Sequence, residues 1–433
     1  MARYHHHHAL SQIDELQHVD YLDRAAHGHL LHEGQQVQTA AMREESCRGG
    51  VENVPSLKIP PCGGPYDPST YQELGLNYTD IHPPTYYVLT GITARIAVDL
   101  GLFSDFVDAG RALGGVWLAA GLWFLALAMR RLGASPVMTA AAVASTAVAP
   151  LVIRSASIVS NDVTTLFTGS LVLWVCVRYV QGARSLTPLV LASIAVAWLR
   201  ATSVLGVLIG AGIVLLAAPT VASDVANADD DPDDEAGDGR SWRHHLTWER
   251  LRAPASMAIA TFAATEVWLA VRAALKVHAA VPNLVNERQH ATSLAVSQVT
   301  DAIHAFLPLF AYDTSITTAA QHVHQLFVTL LSWVLVAAAA GAAIAARRPL
   351  LVPALGGASV LVLVLGAPFL IVTTFLSQSA YFAIPVRYGI AVVPFVVAGG
   401  VAAGNRLTQR LLFGLFVLSA VFGWCLLLTG SSI

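Results

Sequence analysis

The chain has 433 residues, 55% of them hydrophobic and only 12% charged, with a formal net charge of −3. Soluble domains carry about 25% charged residues, and a single core of this size does not hide the apolar surface implied by a mean hydropathy of +0.58. The composition therefore argues for a bilayer rather than a soluble domain, and the lack of a basic stripe argues against a nucleic-acid partner.

Residues 1–11 are polar and His-rich, with no apolar stretch of a signal peptide; the run His5 to His8 reads as part of a disordered start. Residues 1–84 form a polar block. Within it Ile13, Leu16, Val19 and Leu22 recur at three-residue steps, which predicts a helix over 12–31 with a solvated acidic face. Pro and Gly crowd 55–68, an irregular loop. Cys47 and Cys62 lie in this block, and both a disulfide and two free thiols fit the sequence. Cys176 and Cys425 lie in apolar runs and read as inert core residues. Residues 85–103 are apolar but interrupted by Arg95 and Asp99, which suits a helix lying in the membrane interface.

Ten apolar runs follow, at 111–129, 136–153, 161–180, 186–199, 201–218, 254–273, 324–346, 350–373, 387–403 and 408–430. The fourth and fifth are short and separated only by Arg200. Counting them as two puts Arg130, Arg131, Arg178, Arg184, Arg240, Arg243, Arg250, Arg252, Arg347, Arg348, Arg406 and Arg410 on one side, which the positive-inside rule makes cytoplasmic. Arg272, Lys276 and Arg288 then fall outside, against the rule. The fold class expected is an all-α polytopic membrane protein of about ten transmembrane helices plus outer-face juxtamembrane helices. Residues 1–110 form an extracytoplasmic loop with a juxtamembrane helix, and 111–218 hold the first five spans. Residues 219–253 are a cytoplasmic loop whose acidic run, Asp224 to Asp238, is a solvated linker; 254–433 hold the remaining spans and an outer loop, 274–323. An outside N-terminus implies a further span ahead of Met1.

Ionisable residues that gather on the outer side are the candidates for chemistry. On a helix Asp14, His18 and Tyr21 share a face at i, i+4 and i+7, where a carboxylate acts as general base toward a hydroxyl; Glu15 is the neighbouring alternative. The segment Asn77-Tyr-Thr-Asp80-Ile-His82-Pro-Pro holds Asp80 and His82 at the membrane surface, with Tyr86 and Tyr87 suited to the headgroup layer. Asn77-Tyr-Thr is also a glycosylation sequon. Arg154, Asp162, Arg200 and the pair Arg387-Tyr388 sit at outer helix ends, where Arg387 is placed to hold an anionic group. His27, His29 and His32 lack a carboxylate or thiol at ligand spacing, so no metal site is expected.

The order of these features resembles the GT-C superfamily of polyprenyl-phosphate-dependent glycosyltransferases, which includes protein O-mannosyltransferases and aminoarabinose transferases. The resemblance rests on IDELQHVDYLDRAAHGHL (Ile13 to Leu30), HPPTYYVLTG (His82 to Gly91), SIVSNDVTTLFTG (Ser157 to Gly169) and PVRYGIAVVPF (Pro385 to Phe395). It implies an inverting transfer of a sugar from a polyprenyl phosphate to a glycan, lipid or protein acceptor at the outer face of the cell membrane, with no other cofactor. It makes Asp14 the loop carboxylate that acts as base or orients the acceptor, with Glu15 in reserve. Arg387 becomes the donor-phosphate ligand, and His18, Tyr21, Asp80, His82, Arg154, Asp162, Arg200 and Tyr388 the substrate-binding surround. The family's catalytic loop follows a helix that this sequence lacks before Asp14. A transporter or flippase of lipid-linked sugars is the alternative, though no internal repeat supports it; an inactive relative that scaffolds other envelope enzymes is the third reading.

Overall fold

The computed structural model describes residues 8–11, 14–48, 59–217, 248–278, 281, 283–310, 318–344 and 350–429. Ile13, most of the His5 to His8 run, the acidic stretch Asp224 to Asp238, and Arg240, Arg243, Arg347 and Arg348 lie outside the described residues. Among the described residues the chain is helical, with two isolated β-bridges, Gln36–Leu76 and His290–Ala380.

The polar block contributes α1 (Glu15–Ala26) and α2 (Thr39–Arg48), and the stretch after it forms α3 (Thr85–Asp99). Then come α4 (Phe106–Arg131), α5 (Pro136–Ala147), α6 (Pro150–Ala156), α7 (Thr164–Val180), α8 (Thr187–Leu199) and α9 (Val204–Ala217). The second half holds α10 (Trp248–Ala274), α11 (Leu284–Gln289), α12 (Val296–Asp301), α13 (Ala319–Ala343), α14 (Leu351–Gln378), α15 (Val393–Ala403) and α16 (Arg406–Leu428). Start signals are local. The Asp105 carboxylate accepts from the Asp108 N–H at 2.8 Å to open α4, and the Asn405 side chain accepts from the Thr408 N–H at 2.8 Å to open α16.

Among the described residues the ten apolar runs fall on helix, but seven helical segments are long and apolar enough to cross a membrane: α4, Asn161–Val180, α10, α13, α14, Val386–Ala403 and α16. The pair α5 and α6, bent by 63° at its break, makes an eighth. With 13 and 14 residues, α8 and α9 are too short for that test; at 1.5 Å per residue each reaches about 20 Å against a hydrocarbon core of about 30 Å. They form an antiparallel hairpin rather than one span. The Trp198 indole donates to the Ala264 carbonyl at 3.2 Å, whereas Gly210, further along the chain, packs at Met257, further back on α10. The chain therefore climbs to Arg200 and turns back.

One end of this bundle is arginine-rich. Gln181 donates to the Arg131 carbonyl at 3.0 Å, and Ser135 shares a cavity with Arg406, which gathers Arg130, Arg131, Arg184, Arg406 and Arg410. The polar block covers the opposite end. There Arg48 pairs with Asp105 at 2.5 Å and Asp108 at 3.0 Å, and Arg272 pairs with Asp80 at 2.6 Å. The three cations that break the positive-inside pattern are each neutralised locally: Arg272 by Asp80 and Glu33, Lys276 by Glu33 at 2.7 Å, and Arg288 by Glu73.

The polar block has its own core. Leu16, Val19, Tyr21 and Leu22 of α1 pack with Tyr86 and Tyr87 of α3, Val107 of α4, and Val159 and Val163 of the α6–α7 turn. A side chain as large as these contributes about 1.5–3 kcal/mol when taken fully out of water. A Cβ on Gly91 would stand 2.6 Å from the Leu22 carbonyl oxygen, so the lack of a side chain there lets α3 lie directly against α1. This packing corrects several expectations. α1 is no solvated acidic helix, since Glu15, His18 and Asp20 are buried in it. Tyr86 and Tyr87 are fully buried rather than in a headgroup belt; instead Leu89, Ile92 and Ile96 of α3, with Leu100 just after it, are exposed. Asn77 is fully buried, its amide donating to the Gln17 carbonyl and the Asp20 carboxylate at 2.9 Å each, so the sequon is not accessible in the folded chain. Cys176 is buried, but Cys425 faces outward. Cys47 and Cys62 are joined in a disulfide.

Beside that disulfide, Glu45 of α2 is buried, and one of its carboxylate oxygens has no hydrogen-bond partner among the described residues. Burial, and then the charge of Glu15, raise its pKa to about 7. Folding thus favours the protonated form: the penalty is absent below the unfolded carboxylate range near 4.5 and complete above about 7. Glu45→Gln is expected to stabilise the protein at pH 8 by about 3 kcal/mol and to change nothing at pH 4. Melting curves at the two pH values check this, and equal shifts at both would refute it.

Candidate functional site

At the covered end of the bundle, four charged side chains from four distant stretches meet. Asp14 is the residue just before α1, not part of its face, and its backbone is left-handed, with φ 57°. That conformation costs an L-residue about 1–2 kcal/mol, least for Asp and Asn. It also gives no side-chain cap to α1. Instead the Asp14 carboxylate accepts from the Tyr78 hydroxyl. Burial and the Asp14 charge hold the Tyr78 phenol well above its ordinary pKa, so it stays a donor.

Asp162 belongs to the turn opening the α7 span, where the Ser160 hydroxyl accepts from its N–H at 3.2 Å. One Asp162 oxygen pairs with Arg200 and the other lies 2.8 Å from Nε of Arg387. Arg200, at the tip of the α8–α9 hairpin, also donates to the Asn161 side chain at 2.9 Å and to the Thr202 hydroxyl at 2.7 Å. Arg387 enters from the segment Val386–Val392 before α15, and its Nη2 stands 4.0 Å from the Asp14 carboxylate. The Tyr388 ring lies 5.0 Å from the Arg200 guanidinium and 5.6 Å from that of Arg387, a cation–π contact to both.

Exposure divides the four. Side chains of Arg200 and Asp162 are 3% and 7% exposed, those of Arg387 and Asp14 21% and 34%. A buried ion pair thus forms the floor, and a guanidinium and a carboxylate that water still reaches stand on it. Their charges cancel, and an anionic oxygen entering beside Arg387 would also approach Asp14.

Behind them lies a neutral stack. His18 Nδ1 shares a hydrogen bond with the Tyr87 hydroxyl at 2.7 Å and its Nε2 one with Ser160 at 3.3 Å. The His82 ring stacks on His18 at 5.8 Å, and the Tyr21 ring on Tyr87 at 3.9 Å. Burial, with Arg200 and Arg387 adding to it, lowers the His18 pKa to about 3 and drives that of His82 well below its ordinary value. These shifts favour the neutral imidazole at both positions.

Two of the remaining sequence candidates, Glu15 and Asp80, are paired elsewhere. Both Glu15 oxygens are committed: each accepts from Arg111 at 2.8 Å, one also accepts from the Val159 N–H at 2.8 Å, and the other from the Ser11 N–H at 2.6 Å. Glu15 therefore anchors the segment that carries Asp14 and has no lone pair facing the site. Asp80 serves the Arg272 network, not the Asp14 cluster; burial raises its pKa even though Arg272 opposes the rise. Arg154 sits half-buried on α6. Tyr78 and Arg111 were not among the sequence candidates. Arg111 had a usable signal, being an arginine at the head of an apolar run; Tyr78 had none beyond its place between Asn77 and Asp80.

Among the described residues no group of three His, Cys, Asp or Glu side chains could hold a metal ion. No family model, curated protein or solved structure matches this chain, so the likeness to the GT-C superfamily rests on the residues quoted for it.

Proposed function

We propose that this chain is an inverting membrane glycosyltransferase that moves a sugar from a polyprenyl-phosphate donor to a glycan, lipid or protein acceptor. The observation that carries this reading is the pairing of a partly exposed carboxylate, Asp14, with a partly exposed guanidinium, Arg387, over the buried Arg200–Asp162 pair. Asp14 takes the proton of the acceptor hydroxyl or amine. The acceptor atom bonds to the anomeric carbon from the face opposite the phosphate, and the sugar–phosphate bond breaks with its electron pair going to the phosphate. Arg387 stabilises that departing charge. Asp162 and Arg200 orient Arg387, Tyr78 orients Asp14, and Glu15 with Arg111 holds the loop.

In this reading the ten apolar segments all enter the membrane, with the arginine-rich end cytoplasmic and the site facing outside the cell membrane. The Cys47–Cys62 disulfide supports that orientation, because disulfides persist in oxidising compartments. The short α8–α9 hairpin supports a site sunk below the outer interface, where a membrane-embedded donor reaches it.

The bent α5–α6 pair favours one other reading, transport or flipping of a lipid-linked sugar, since transporters use broken helices. Reconstitution in vesicles with a radiolabelled polyprenyl-phosphate sugar and an envelope extract as acceptor separates the two. Label appearing covalently on the acceptor is the expected result. Label that crosses the bilayer while still on its lipid would replace the transferase by a transporter, and label that does neither would sink both.

A further inference from the structure

The opposite end of the bundle holds a cavity of about 460 Å³ between the N-terminal ends of α5 and α16. Its polar lining is Ser135, Arg406, Gln409 and Arg410, with Val137 and Phe413 beside them. Arg406 and Arg410 are one turn apart on α16, both exposed. Among the described residues no carboxylate lines the cavity. The placement is electropositive. Arg406 is the first residue of a 23-residue helix, at the positive end of its dipole, and α5 also opens here with no acidic residue in its first turn. The positive-inside rule accounts for arginines at this end of the bundle, but not for two around one cavity at a helix start. An anion would relieve this arrangement. The apolar rim identifies which kind: Val137, Leu407 and Leu411 are 64%, 76% and 51% exposed next to the arginines, a surface that suits acyl chains and not water.

We propose that this cavity binds the phosphodiester headgroup of an anionic membrane phospholipid, with Arg406 and Arg410 on the phosphate and the chains against Val137 and Leu411. The site is independent of the transferase reading and lies at the far end of the molecule from Asp14. It ties the first half of the bundle to the last helix through a lipid.

The test is binding of short-chain phosphatidylglycerol to the purified full-length protein in a neutral detergent, followed by native mass spectrometry. Arg406→Gln with Arg410→Gln is expected to weaken binding about 30-fold. Arg131→Gln with Arg184→Gln removes the same charge from the same end and is expected to leave binding within about twofold. Equal losses in the two double variants would mean a diffuse charge effect and overturn the site. So would phosphatidylcholine binding as tightly as phosphatidylglycerol, or inorganic phosphate displacing the lipid at equal concentration, since the latter assigns the cavity to a soluble anion.

Discussion

On the proposed transferase reading, Asp14→Asn is expected to lower the rate of sugar transfer by about 10²–10⁴-fold, the range for removing a positioned general base, while the protein stays folded. The substitution is well matched to the position. Asn tolerates the left-handed backbone that residue 14 adopts almost as well as Asp does. Its amide oxygen still accepts from Tyr78, so the loop keeps its hydrogen bond. What is lost is the basic lone pair and the negative charge 4.0 Å from Arg387. Because Arg387 is held chiefly by Asp162, the donor site survives, and the loss falls on the catalytic rate rather than on the KM for the donor. Glu15 cannot take over, as its oxygens are filled by Arg111, Val159 and Ser11. Transfer by the Asn variant at half the parent rate or better would remove Asp14 from the mechanism.

The second large effect is on stability. Glu15 and Arg111 are 0% and 2% exposed at their side chains, and they join the polar block to the head of α4 through two hydrogen bonds of 2.8 Å. Arg111→Met leaves the Glu15 carboxylate buried without its counter-charge and is expected to cost about 3–5 kcal/mol. Replacing both partners, as Glu15→Gln with Arg111→Met, removes the stranded charge and is expected to regain most of that loss. Thermal unfolding in detergent checks both. A single variant as stable as the parent would show that the pair is solvated, and a double variant worse than the single would show that the charges themselves hold the block. Arg111 also donates to the Ala9 carbonyl at 2.8 Å, so the single variant frees the chain on the N-terminal side of Asp14 as well.

The membrane class, the apolar segments and the helix that became α3 were legible in the sequence because each depends on a run of neighbouring residues. Hydropathy over about 20 residues decides whether a segment prefers lipid, and Arg200 between two short runs marked the hairpin tip. The same holds for the arginine-rich end, since helix parity alone sorts the cations. Several candidates were legible for a related reason: an ionisable residue beside an apolar run, such as Asp162 or Arg387, stands out against its own surroundings.

Contacts between distant segments were not legible. Helical spacing put Asp14, His18 and Tyr21 on one wet face, yet a single left-handed residue removes Asp14 from the helix and the core of α3 and α4 buries the other two. Whether Asp14 or Glu15 keeps a free oxygen depends on Arg111, 96 residues from Glu15, and on the Val159 N–H, 144 residues from it. Tyr78 acquires its role only because the loop before α3 folds back over α1. The sequence by itself determined that the chain is a helical membrane protein and which end carries the positive charge, because transfer free energy is summed locally along the chain. Only the tertiary structure decided which charges are spent on one another and which two stay open, because that depends on desolvation and pairing across the whole fold.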